Sequence, residues 1–372
     1  MTDLPSFPKI PEDLLKKMLE PPKPPVRIVI DSDVDNEVDD YFALTWILQS
    51  AESFQIEGVY AAPYSFRSRT LQLNEAYAIL QRGGPVNDQE RKLVNRYGGQ
   101  VSAVTALGLI PPDLLRDEHV AGGPERGMLE SFVRTREIFT VLGRPCDSLL
   151  FKGSDRYLGS PAVPVESPAA RHLIERARAS SPEDPLYVVA LACLTNVASA
   201  ILLAPDIIRN IVVVWTAGYP TNVLDLANIS FNTEQDIPAS QLLFACGVPV
   251  VYLPGFYLGQ QLTLSLSDVE TYVRGRGNIG DLLYQRFVAN PLFDYYGILS
   301  ASGVAFTWVL WDLICVAWLL NSGWVPTALR PSPVLTDDLY WQHPPGRPVI
   351  REATGISRTG IFKDLFTKLA HP

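Results

Sequence analysis

Residues 31–40 read Asp-Ser-Asp-Val-Asp-Asn-Glu-Val-Asp-Asp and place six carboxylates in ten positions. The run before them, Val26-Arg27-Ile28-Val29-Ile30, is short, β-branched and mostly apolar, which reads as a buried strand. After them Tyr41, Leu44, Thr45 and Leu48 recur at helical spacing. This strand, acidic loop and helix limit the folds open to the chain, because open α/β sheets gather their ligands outside the carboxyl ends of parallel strands. Asp39 and Asp40 then fall in the first helical turn, where the helix dipole favours anions. Asp31 and Asp33 leave the end of the strand.

So many carboxylates in one loop repel one another, and solvation or a cation must offset the repulsion. Hard cations such as calcium take oxygen ligands from carboxylates, carbonyls and water. A solvated acidic turn capping a helix is the plainer reading; the position between strand and helix favours a divalent metal. Asp31, Asp33 and Asp35 fit positions one, three and five of an EF-hand. There the match stops: Asn36 replaces the turn glycine, and Phe42 stands where the bidentate glutamate belongs. A phosphatase-type Asp-x-Asp loop is disfavoured, since the four acidic residues that follow would repel a phosphate dianion.

Asp31-Ser32-Asp33 followed by Asn36-Glu37-Val38-Asp39-Asp40-Tyr41-Phe42-Ala43-Leu44 resembles the N-terminal signature of the inosine-uridine-preferring nucleoside hydrolase family. It is closest to the branch whose loop reads Asp-Thr-Asp-x-Gly-Asn-Glu-x-Asp-Asp. Asp35 stands where that branch has Gly, a residue used for backbone freedom, and it adds a negative charge. Further motifs are similar to the branch: Gly127-Met128-Leu129-Glu130-Ser131-Phe132, Gly153-Ser154-Asp155-Arg156-Tyr157 and Leu194-Thr195-Asn196. Phe231, Asn232 and Asp236 match the family's Glu-Phe-Asn segment and the Asp after it, with Ser230 in place of the Glu. Asn232 could equally cap a loop, and Asp236 reads best as a helix N-cap.

Phe306–Leu320 is strongly apolar and reads as a helix whose one charge is Asp312. A lone buried carboxylate is expensive unless paired or bound to metal, which singles out Asp312. It matches the family's late calcium ligand. Trp311 precedes it, where many members carry a His that assists the leaving base. None of the four histidines, 119, 172, 343 and 371, matches a family site position.

The resemblance, which covers roughly residues 26–320, implies a doubly wound α/β domain with a mainly parallel sheet flanked by helices. It also implies calcium-dependent hydrolysis of the N-glycosidic bond of a ribonucleoside, giving ribose and a free base. Calcium would be held by Asp33, Asp40, Asp312 and the Leu191 carbonyl. Asp33 would be the general base; Asp39 and Asn232 would bond the sugar, and Trp311 would stack on the base. Two other readings stay open: hydrolysis of another N-riboside such as nicotinamide riboside or a modified nucleoside, and a catalytically weak calcium-bearing nucleoside-binding protein, suggested by Asp35 and Ser230.

The chain is long enough for one large α/β domain or two ordinary ones, with 372 residues. The expected division is a Pro-rich arm over 1–25, extended on the surface or toward another subunit, then the hydrolase-like domain over 26–325. A C-terminal tail over 326–372 packs on it. Within the domain, about 68–126 looks like an insertion. A structureless loop of that length is improbable in a compact domain, so helices covering part of the site are expected. Helical segments are also expected over 267–300. The net charge of −9 argues against a nucleic-acid partner. Four widely spaced cysteines suggest free thiols in a reducing, cytoplasmic setting. No signal segment or membrane span is visible. The expected partner is a small nucleoside, and the expected state a homo-oligomer, dimer or tetramer.

Overall fold

The computed structural model describes residues 5–298 and 306–371. Its centre is an eight-stranded sheet. Six strands come from β1 (Val26–Ser32), β2 (Phe54–Ala61), β3 (Leu150–Lys152), β4 (Leu186–Ala190), β5 (Ile211–Ala217) and β6 (Val250–Pro254). They are parallel and lie in the order β3-β2-β1-β4-β5-β6. The order reverses between β1 and β4. That is the switch point at which open α/β sheets leave a crevice for a ligand.

The strands are apolar runs because both faces of the sheet are covered. All seven residues of β5 and all five of β4 are buried. Alternate residues of β1 enter different cores: Ile28 and Ile30 pack on one face, Val29 on the other. After β1, the helix α2 (Asp39–Leu48) is buried along its whole length. It therefore lacks a polar face, as befits a helix enclosed on all sides.

The C-terminal segment, expected as a tail, builds the far edge of the sheet. Val349–Ala353 pairs parallel with β6, and Thr327–Pro331 pairs antiparallel with Val349–Ala353. A helix over Arg358–Ala370 follows, with Ile361, Leu365 and Leu369 buried. Trp46 on α2 donates its indole N–H to Asp364 of that helix at 2.7 Å. The N-terminal arm is not wholly extended. Its α1 helix (Glu12–Met18) buries Leu15 and Met18 in the core, with Leu19 behind them.

Residues 67–81 and 88–106 form the helices α3 and α4. Asn87 caps α4 by accepting from the Glu90 amide. The helix Pro124–Val141 then docks on the end of β2. A Cβ on Gly127 would lie 2.1 Å from the Tyr64 carbonyl oxygen, so only glycine fits there. Ser131 Oγ donates to the Ala62 carbonyl at 3.1 Å.

The helix expected over Phe306–Leu320 begins later. Thr307–Val309 is a strand paired antiparallel with Thr263–Ser265, and the helix runs over Leu313–Leu320 with Asp312 as its N-cap residue. Tertiary pairing here overrides an apolar run with no period of its own. Of the helical segments expected over 267–300, residues 266–272, 277–288 and 292–295 are helical; residues 299 and 300 lie outside the described residues. Among the described residues no helix is long and apolar enough to cross a membrane.

Candidate active site at the switch point

A cavity of ≈ 470 Å³ opens at the carboxyl ends of β1, β4, β5 and β6. Asn36, Glu37, Asp39 and Asp40 reach it from the loop after β1, and Leu191 from the end of β4. Gly255, Phe256, Trp311 and Asp312 complete that part of the lining.

Asp39, Asp40 and Asp312 come together there: each offers one oxygen, and these lie within 4.8 Å of one another. All three residues are buried. Sequence positions more than 270 residues apart thus share one point, with Asp312 delivered by the N-terminus of its helix. Asp33 is fully buried beside them and is not part of that trio. Its Oδ2 accepts from Asn36 Nδ2 at 2.7 Å, and its Oδ1 has no partner.

The cost of holding these groups shows in their protonation. Burial pushes Asp40 up to about 7, against a hydrogen bond from Ser32 Oγ that favours the anion. Burial also raises Glu37 to about 7, opposed by the Arg69 cation. Asp33, Asp39 and Asp312 lie well above the ordinary carboxylate range, through burial first and their neighbours' negative charge second. Asp33 Oδ1, Asp39 Oδ1 and Asp312 Oδ2 are buried and without hydrogen-bond partners. Buried anions persist when paired or bound to metal. An all-oxygen donor set with unpartnered lone pairs fits a hard divalent cation.

The other loop carboxylates turn elsewhere. Asp31 Oδ1 accepts from Asn196 Nδ2 at 2.8 Å, behind the site. Asp35 has φ of 90°, a left-handed conformation in keeping with the glycine of the resembling branch. Its carboxylate accepts from Tyr41 Oη at 2.8 Å and pairs with Arg134 at 3.5 Å and Arg286 at 3.9 Å. The added charge is therefore held by two arginines.

Asn232 Nδ2 donates to the Leu191 carbonyl at 2.7 Å and to the Thr216 carbonyl at 3.2 Å. A carbonyl oxygen has a second lone pair, so Leu191 can still face a cation. Ser230 Oγ accepts from the Gly218 amide at 2.8 Å. Asp236 accepts from the Ala239 amide as an N-cap and from Thr195 Oγ1 at 2.6 Å. Trp311 meets Phe256 edge-on, with centroids 6.0 Å apart.

Sequence reasoning passed over the residues of α3 and α4 that line the same cavity: Arg69, Arg96, Tyr97 and Gln100. No motif marks them, and their distance from the acidic loop in sequence hides them. Arg69 pairs with Glu234 and donates to the Ile229 carbonyl and, at 3.2 Å, to Tyr296 Oη. His119 bonds the Asn36 carbonyl at 3.3 Å and stands among Tyr64 and Phe66, outside the cavity lining.

The profile of the family "Inosine-uridine preferring nucleoside hydrolase" matches residues 28–341. A curated relative, "Probable uridine nucleosidase 2" of Arabidopsis thaliana, is 23% identical over 150 residues, or 39% of this chain. That match spans 44% of the relative's length. Among solved structures, the plant nucleoside hydrolase PpNRh1 superposes with a TM-score of 0.59 at 16% identity, over 94% of this chain and 100% of that one. A purine-preferring ribonucleoside hydrolase from Gardnerella vaginalis gives 0.58 at 16% identity, over 92% and 98%. These two share the fold. With the profile covering most of the chain, the protein belongs to the inosine-uridine preferring nucleoside hydrolase family.

Proposed function

We propose that the protein hydrolyses the N-glycosidic bond of ribonucleosides in a calcium-dependent reaction, releasing ribose and the free base. The observation that carries this reading is the convergence of Asp39, Asp40 and Asp312 at a cavity in the switch-point crevice of a nucleoside hydrolase fold.

Asp33, Asp40, Asp312 and the Leu191 carbonyl are the residues we assign to calcium, with Asp39 adjoining them. Calcium bound there would lower the pKa of a water and orient it. Asp33 takes the proton of the attacking water on its unpartnered Oδ1. Asp39 accepts a hydrogen bond from a ribose hydroxyl, and Asn232 holds the sugar from the side of β5. The transition state carries oxocarbenium-like positive charge, which a wall of carboxylates stabilises. The base lies against Trp311 and Phe256. No histidine lines the cavity among the described residues, so the leaving base gains its help from this aromatic wall or departs unaided. That gap keeps a second substrate in view: an N-riboside with a better leaving group, such as nicotinamide riboside.

The same reading takes the protein as a cytoplasmic homo-oligomer with a small nucleoside as its partner. Four buried free cysteines support a reducing setting.

The test is release of free base from inosine, uridine, adenosine and nicotinamide riboside, with calcium and with chelator. Chelator-sensitive release from the ordinary nucleosides supports the proposal. Release from nicotinamide riboside alone moves the reaction to the second substrate. Nucleoside binding with no release from any of the four would make this a binding protein.

A further inference from the structure

Asn232 lines the cavity, and its amide nitrogen donates to the Leu191 carbonyl at 2.7 Å and to the Thr216 carbonyl at 3.2 Å. A carbonyl can only accept, so the two together fix which end of the amide is nitrogen. Asn232 thereby orients the one backbone oxygen assigned above to calcium. It sits on the single helical turn Phe231–Glu234. One turn of helix has almost no stability of its own, so this turn is held in place from outside.

The hold comes from α3. The Arg69 guanidinium donates to the Ile229 carbonyl, three residues before Asn232, and pairs with the Glu234 carboxylate, two residues after it. A third bond, at 3.2 Å, goes to Tyr296 Oη. The guanidinium also lies 5.5 Å from the centre of the Phe231 ring. Phe66, just before α3, stacks on the same ring with centroids 4.1 Å apart and planes 13° apart. One side chain thus brackets Asn232 on both sides. The side chains of Arg69 and Glu234 are each only 11% exposed. Taking such a pair out of water offsets much of its attraction, so net stability is a poor account of it. A planar fork that meets several acceptors at fixed angles is suited instead to fixing their relative positions.

We propose that Arg69 is a positioning residue for the cation site: it fixes the turn that carries Asn232, and through Asn232 the direction of the Leu191 carbonyl. The proposal rests on the reading above that assigns this carbonyl to calcium. It gives α3 a part in metal binding although that helix supplies no ligand. Loss of a partner that orients a metal ligand typically costs about 10–100-fold in affinity. Arg69 stands one step farther out than Asn232, so its effect belongs at the lower end.

The test is calcium affinity, measured by calorimetry on the protein freed of metal with chelator. It compares the wild type, Arg69→Lys, Arg69→Met/Glu234→Gln, Asn232→Ala, and the last two combined. Arg69→Lys keeps the buried cation but lacks the fork; Arg69→Met/Glu234→Gln removes the pair with no change in net charge. The paired substitution should weaken calcium binding about tenfold, and Arg69→Lys by less. Combined with Asn232→Ala it should weaken binding no more than Asn232→Ala alone, because both act through one carbonyl. Melting temperature in chelator reads the fold separately. An Arg69 that only supports the fold would lower the melting temperature and leave the calcium affinity of the folded protein unchanged. That result, or losses that add in the combined variant, overturns the proposal. If removing the pair prevents folding, Arg69→Lys decides: weaker calcium binding supports the proposal, and wild-type affinity overturns it. A wild type that binds no calcium overturns the calcium reading and this proposal with it. If calcium binding depends on Arg69 and no base is released from any nucleoside, the role of Arg69 stands and the hydrolase reading fails.

Discussion

Asn196 Nδ2 donates to Asp31 Oδ1 at 2.8 Å, and both residues are fully buried. On its other side Asn196 Oδ1 accepts from the Ser154 amide at 2.7 Å and from Ser154 Oγ at 2.9 Å. One amide thus ties the end of β1, the loop after β3 and the start of the helix after β4. Burial raises Asp31 to about 7, and the hydrogen bond from Asn196 lowers it. The link supports the acidic loop from behind, and none of its three residues lines the cavity.

Asn196→Ala should therefore destabilise the fold. It orphans the Asp31 carboxyl and the Ser154 amide inside the protein, and each such loss costs about 1–3 kcal/mol. Urea unfolding of the variant against the wild type measures it. A change below about 0.5 kcal/mol, typical of surface substitutions, would mean that the amide carries no strain-bearing link.

Asp35 separates backbone from charge. Its φ of 90° is natural to glycine and costly to residues with a Cβ. Asp35→Gly loses the pairing with Arg134 and Arg286 and gains backbone ease; Asp35→Ala loses the pairing and keeps the strain. Asp35→Ala should be less stable than Asp35→Gly by about 1 kcal/mol, with the calcium content of both unchanged. Equal stability of the two by denaturant titration would contradict the backbone account. Reduced calcium in both would show that this carboxylate serves the cation.

Without a divalent cation, the acidic cluster should make stability fall as pH rises. Asp31, Glu37 and Asp40 have folded values of about 7 against ordinary values near 4. Between those limits the folded state binds more protons than the unfolded chain, so rising pH favours unfolding. Melting temperature in chelator should drop from about pH 5 to pH 8. Calcium binds the deprotonated cluster and should flatten or reverse the slope. If it binds only the folded state, it should add about 2.7 kcal/mol at a hundredfold excess over Kd. A chelated protein whose melting temperature rises over the same range would show that these groups are not held protonated.

Asp33→Asn should leave the protein folded and lower turnover by about 10²–10⁴-fold, the usual contribution of a general base. Asparagine keeps the shape and still offers one oxygen, but it cannot take a proton from water. Steady-state kinetics on the preferred substrate with saturating calcium reads this. A loss confined to KM would assign Asp33 to binding instead.

The sequence made the centre of this site legible because two of its parts break local rules. Six carboxylates between an apolar strand and a helix, and Asp312 alone in an apolar stretch, are anomalies that a packed core does not tolerate without a reason. What stayed hidden depends on pairing across the chain. Thr307–Val309 is apolar like the helix that follows, and only its partner Thr263–Ser265 makes it a strand. Thr327–Pro331 ends in proline and is half exposed, as an edge strand can be, so nothing in its local pattern announces a place in the main sheet. Arg96 and Tyr97 sit on a helix of otherwise ordinary polar composition. Their relation to the cavity comes from how α3 and α4 fold back over the switch point.

We infer that the buried carboxylates hold a cation that the fold needs. It is tested most directly by calcium content and melting temperature, measured side by side on the wild type and Asp312→Ala after dialysis. The wild-type chain should carry about one calcium. In Asp312→Ala the calcium should be lost and the melting temperature lowered, with no recovery on adding calcium. A variant that melts early while retaining calcium at full occupancy, or a wild type that binds no divalent ion and shows no thermal shift with calcium, would contradict it.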